Sequence, residues 1–106
     1  MIAPLEIEFH NTQPIEEAET CIRQEFAALE RFYHRIVSCR VDVELPEHPR
    51  RGSLSTVRVD LGVAGAKGTE HVQLHSQHKD VSMAIHAAFN AAHRRVQEFK
   101  PPNRYA

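Results

Sequence analysis

Apolar residues recur at two spacings along this chain, every second position in some stretches and every third or fourth in others, and the changes between them mark the elements. Leu5, Ile7 and Phe9 alternate with Glu6, Glu8 and His10, which predicts a first strand. Asn11 to Pro14 reads as a turn and helix start, with Pro14 suited to the first helical position and Glu16 and Glu17 in the first turn. Ile15, Ala18, Ile22, Phe26, Leu29 and Tyr33 then form one helical stripe. From Ile36 the period is two: Val37, Cys39, Val41, Val43 and Leu45 face one way, and Ser38, Arg40, Asp42 and Glu44 the other.

The prolines and glycine of Pro46 to Ser53 make that segment a loop. Val57, Val59, Leu61 and Val63 alternate with Thr56, Arg58, Asp60 and Gly62 in a third strand. Gly65 to Gly68 forms a hairpin turn into a fourth strand, Glu70 to Gln77. Asp80 is a good N-cap for a second helix from Val81 to Phe99, whose stripe is Val81, Ala84, Ile85, Ala88, Ala92, Val96 and Phe99. Pro101 and Pro102 stop that helix and leave a short tail over 101–106.

The order β-α-β-β-β-α, with alternating strands and one apolar stripe per helix, predicts an α+β fold. It is a two-layer sandwich, a four-stranded sheet with two helices on one face. The expected core is Leu5, Ile7, Ile22, Phe26, Leu29, Val41, Val43, Val57, Val59, Leu61, Leu74, Ile85 and Phe89, with Arg40 outward.

Length bounds the organisation. A chain of 106 residues supports one core, so a single domain over 1–106 is expected. No apolar run reaches the roughly 20 residues a bilayer span needs, and Met1 to Pro4 has no secretion-signal pattern, so the cytoplasm is the expected location. In a reducing compartment Cys21 and Cys39 are expected as free thiols in or near the core.

The formal net charge is −1, but its distribution matters more than its sum. Acid gathers at Glu16, Glu17, Glu19 and Glu25; base gathers at Arg31 and Arg35, at Arg50 and Arg51, and at Arg94 and Arg95, with Lys79 at the entry and Lys100 at the end of the second helix. An apolar inner stripe with a basic outer end outlines a surface that meets phosphate. The plainer alternative is a solvated helix end whose arginines complement the dipole.

Eight histidines are many for this length. His71 and His75 share a strand face with His78 just beyond, yet no carboxylate or cysteine stands at a standard ligand spacing, so no metal and no cofactor is expected. His78, His86 and His93 are candidates for a pH response, since imidazole charges near pH 6.5 and added charge beside Lys79, Arg94 and Arg95 would enlarge a phosphate-binding surface. Ser53, Ser55 and Ser76 lack a nucleophile-elbow context, no glycine-rich phosphate loop precedes a helix, and no enzymatic activity is expected.

Two segments carry a family likeness: Leu29-Glu30-Arg31-Phe32-Tyr33-His34-Arg35-Ile36, and His78-Lys79-Asp80-Val81-Ser82-Met83-Ala84-Ile85. With the element order and the Arg51-Gly52 loop feeding the third strand, they resemble the ribosome hibernation-promoting factor and ribosome-associated inhibitor family, also labelled sigma-54 modulation proteins. That resemblance implies binding of small-subunit ribosomal RNA in the mRNA and tRNA channel, which blocks translation and preserves idle ribosomes. The matching basic positions are Arg31, Lys79 and Arg94, which Arg95 and Lys100 extend; Arg35, Arg50 and Arg51 complete the expected RNA-binding set. Glu25, Ala28 and Ala91 stand where family members often carry base, and Ser82 where tyrosine is common. The alternative is therefore a protein-interaction module on the same fold, with a separate protein partner and weakened RNA binding. Longer family members carry a further domain that pairs ribosomes, and that activity is not expected of these 106 residues alone.

Overall fold

The computed structural model of the protein describes residues 3–98. It contains β1 (Leu5–His10), α1 (Glu16–Phe32), β2 (Ile36–Glu44), β3 (Ser55–Gly65), β4 (Gly68–His78) and α2 (Val81–Gln97). The four strands form one mixed sheet in the order β1-β2-β3-β4. β1 lies parallel to β2, which requires a crossover that α1 supplies, and the other neighbours are antiparallel.

One face of the sheet is dry. Val41 and Val43 of β2, Val57, Val59, Leu61 and Val63 of β3, and Val72 and Leu74 of β4 share a core with Ile22, Phe26 and Leu29 of α1 and Ala84, Ile85, Ala88, Phe89 and Ala92 of α2. The alanines on the buried side of α2 let that helix sit close over β3 and β4, with α1 packed beside it. Leu5 and Ile7, expected in the core, are only half-buried, because β1 is an edge strand away from α2.

Val37 does not face the core. A register irregularity between Ile36 and Ser38 lets Ile36 turn inward and leaves Val37 42% exposed. Gly62 pairs with Ser38 there; a Cβ on it would meet the Ser38 hydroxyl and, at 3.3 Å each, Val37 and Thr69 methyls. Arg40 is outward as expected.

Pro14 is not the first helical residue. α1 begins at Glu16 behind Ile15, whose backbone is extended and whose carbonyl accepts the Glu19 N–H at 2.9 Å. The second helix starts as the sequence predicts: Asp80 is extended and its Oδ1 accepts the Ser82 N–H at 2.8 Å. Its helix ends at Gln97, and Phe99 and the 101–106 tail lie outside the described residues. The fourth strand is longer than its alternation suggests, because Gly65 pairs with Gly68 and closes a two-residue hairpin turn at Ala66 and Lys67.

Candidate nucleic-acid interface

The two helices run in the same direction. His86 of α2 meets Cys21 and Glu25 of α1, and one turn pair further on His93 meets Phe32 and Tyr33. Their C-terminal turns therefore lie side by side. That brings Arg31 of α1 next to the turn carrying Arg94 and Arg95, residues more than sixty positions apart in the chain. Arg35 follows in the turn between α1 and β2, and its carbonyl accepts the Ala64 N–H of β3 at 2.8 Å. The β3–β4 hairpin tip with Lys67 projects at this same end of the molecule.

Arg31 and Arg94 are exposed and have no carboxylate partner among the described residues. Arg95 reaches Glu98 at 3.7 Å. Glu30, also near this end, has its Oε2 occupied by the Ala3 N–H at 2.8 Å. Two exposed guanidinium groups beside the negative ends of two helix dipoles stabilise those ends, and their donors are open to solvent, where a phosphate can take them bidentately.

The remaining basic positions lie at the opposite end. Ser55 pairs with His78, so the β2–β3 loop with Arg50 and Arg51 sits near Lys79 and the start of α2. The loop is tightened by a turn in which the Ser53 N–H donates to the Arg50 carbonyl at 3.0 Å and the Arg50 N–H donates to Ser53 Oγ at 2.8 Å. Gly52 takes φ +84° in that turn, a value that favours glycine. From Ser55 to Val63 along β3 the two ends are separated by roughly 27 Å. The expected RNA-binding set thus divides into Arg31, Arg35, Arg94 and Arg95 at one end and Arg50, Arg51 and Lys79 at the other; Lys100 lies outside the described residues.

The histidines divide as well. His93 packs against Tyr33 and Phe32 at ring-centre distances of 5.8 and 6.4 Å, beside Arg94. His86 is not beside the arginines: its Nδ1 lies 2.6 Å from Glu25 Oε2 and its Nε2 4.0 Å from Cys21 Sγ. His78 is at the far end, its Nδ1 accepting the Asp80 N–H at 3.0 Å.

Two of the positions where the chain departs from basic residues have structural reasons. Glu25 is engaged by His86, and Ala91 packs half-buried against the core. Cys39 is buried in the sheet, and burial, followed by Asp60 and Glu30, pushes its thiol up to about 12. Cys21 is only half-buried; burial and then Glu25 raise its thiol too.

The open face of the sheet is different in character. Glu6, Glu8, Asp42, Glu44 and Asp60 outnumber Arg40 and Arg58 on it. Arg40 reaches Glu8 at 2.6 Å and Asp42 at 3.3 Å, and Arg58 reaches Glu44 at 3.2 Å. Burial pushes the Asp42 carboxyl up, but hydrogen bonds to His10 and Arg40 and the Arg40 charge outweigh that and hold it below the usual range. Glu8, His10 and Asp42 also bring three potential metal donors within 4.8 Å, a set the sequence reading missed because β1 and β2 contribute separately. The cation seated on two of those donors is the Arg40 guanidinium. His71 pairs instead with Asp60 at 3.3 Å. Among the described residues, no helix is long and apolar enough to cross a membrane.

The architecture is shared with solved proteins. The N-terminal domain of Protein Y from Thermus thermophilus is similar over 93% of this chain and 100% of its own, with a TM-score of 0.75 at 16% identity. A ribosomal subunit interface protein from Coxiella burnetii is similar over 90% of this chain and 94% of its own, with a TM-score of 0.71 at 6% identity. These likenesses establish the fold class. Residues 5–101 match the family described as sigma 54 modulation protein / S30EA ribosomal protein, and the chain belongs to that family, which is not a class of enzymes. Among curated proteins, no sequence match was found.

Proposed function

We propose that this protein is a ribosome-associated hibernation factor that binds small-subunit ribosomal RNA in the mRNA and tRNA channel and so inhibits translation in the cytoplasm. The observation that carries this reading is the placement of Arg31 and Arg94, both without a carboxylate partner among the described residues, on the adjacent C-terminal turns of two parallel helices. Ribosomal RNA offers phosphates at a density that suits several arginine forks at once, and the affinity gained by releasing their counterions falls steeply with salt. Arg35 and Arg95 flank that centre, while Arg50, Arg51 and Lys79 form a second contact about 27 Å away along the sheet direction. The acidic open face of the sheet is turned from the RNA.

The alternative, a protein-interaction module that has lost RNA affinity, draws on Glu25 standing in the first helix. The contact of Glu25 with His86 argues against it, because that carboxylate is occupied between the helices. His93 is the one candidate histidine of the three at the Arg94 end.

Co-sedimentation with isolated small subunits at two salt concentrations tests the reading. Binding that weakens sharply at the higher salt, and is abolished by Arg94→Glu with Arg95→Glu, is expected. Full binding by that double variant would favour the protein-interaction module.

A further inference from the structure

The end of α1 presents an aromatic ring where the helical stripe calls for none. Position 32 lies off the line through Ile22, Phe26, Leu29 and Tyr33, and Phe32 is 71% exposed. Among the described residues, Val37, Leu54 and Met83 are the other exposed large apolar side chains; none is aromatic and all are less exposed. Singly exposed aliphatic side chains are ordinary in folded proteins. A phenyl ring held in place and left open, on helix ends that carry two arginines without a carboxylate partner among the described residues, is a different arrangement.

We propose that Phe32 is a stacking platform for one unpaired base of the bound RNA, an inference that rests on the RNA-binding reading given above. The ring is buttressed from the side. His93 meets it at 6.4 Å with planes inclined 65°, Tyr33 at 6.5 Å and 56°, and His93 and Tyr33 are themselves in contact at 5.8 Å. Inclined neighbours fix the orientation of the ring without covering it in a parallel stack, so little ordering remains to be lost on binding. Arg31 precedes the ring in α1, and Arg94 follows its buttress His93 in α2. A nucleotide whose base lies on Phe32 therefore sits on the same pair of helix ends as two arginines that can take phosphates of its strand. Stacked bases with cations tracking the flanking phosphates are how sequence-tolerant single-strand sites are built. The surface is thereby directed at an unpaired stretch of ribosomal RNA, since in a duplex the base faces are already stacked.

The test is the affinity of the full chain for small ribosomal subunits, measured across a salt series for the wild type, Phe32→Ala, Phe32→Leu and Phe32→Trp. With the ring exposed, all three variants should fold, which thermal unfolding checks. Phe32→Ala and Phe32→Leu should each bind about ten-fold more weakly. Their dependence on salt should be unchanged, because no phosphate contact is removed. Phe32→Trp should bind as well as the wild type or better. By contrast, Arg94→Glu should flatten the salt dependence. If Phe32→Ala and Phe32→Leu bind as tightly as the wild type, the stacking proposal fails while the RNA-binding reading stands. If Phe32→Trp loses binding with the others, the ring fills a shaped protein pocket and the proposal is overturned. Wild-type protein that does not bind small subunits at all would remove both.

Discussion

His86 Nδ1 lies 2.6 Å from Glu25 Oε2 and joins the two helices at their middle. A carboxylate only accepts, so the imidazole donates from Nδ1, which leaves Nε2 facing Cys21 Sγ at 4.0 Å. The contact ties α1 to α2 at one relative level, the level that sets the C-terminal turns with Arg31 and Arg94 side by side.

A double-mutant cycle with His86→Ala and Glu25→Ala should return a coupling of about 0.2–1 kcal/mol, the usual scale for a partly exposed pair. Urea unfolding of the four proteins measures it. A coupling indistinguishable from zero would mean that the helices hold their level by core packing alone.

Acid should expose the open sheet face as a source of stability. The Asp42 carboxyl is held below its ordinary value, so its contribution is fully present above the unfolded-state value near 3.8 and is lost as pH falls through the lower folded value. Asp42→Asn should therefore show a shallower loss of stability than the wild type below about pH 4. Parallel acid limbs for the two proteins would contradict this.

The two thiols should react differently. Cys39, raised to about 12 by burial, should resist a thiol reagent at about pH 8 until the protein unfolds, and Cys21 should react slowly in the native state. The sign for stability is opposite to that of Asp42. A raised thiol favours the fold below its unfolded value of 9.0, and that contribution disappears as pH climbs toward 12. Rapid native labelling of Cys39, read by mass spectrometry, would be inconsistent with its burial.

Arg31→Glu should weaken small-subunit binding less than Arg94→Glu. The two positions lie on adjacent helix ends, but Arg31 ends a helix rich in acid, whereas α2 carries no acid in its first turn. Both variants should keep a thermal midpoint near the wild type, because both side chains are exposed. Phe89→Ala provides the contrast: it empties the fully buried space between α2 and the sheet and should cost about 3–5 kcal/mol without touching the basic end.

The sequence by itself determined the elements and most of the core. Alternation fixed which faces of β2, β3 and β4 are dry, the helical stripe fixed the inner side of α1, and Asp80 fixed the start of α2, because each is a short-range property of the backbone. It also named Arg31 and Arg94. The tertiary structure decided what periodicity does not contain. Alternation places Val37 inward because it assumes an unbroken ladder, and the irregularity beside Ser38 arises only when β2 pairs with β3. Helix direction follows from strand order, so only the folded sheet brings Arg31 beside Arg94 and sends Lys79, Arg50 and Arg51 to the other end. Pairing across β1 and β2 likewise gathers Glu8, His10, Arg40 and Asp42, and helix packing gives Glu25 to His86. Phe32 was visible as a letter within a family-like segment, but its open face and its contact with His93 depend on where α2 lies, which is set by packing over distances no local pattern reports.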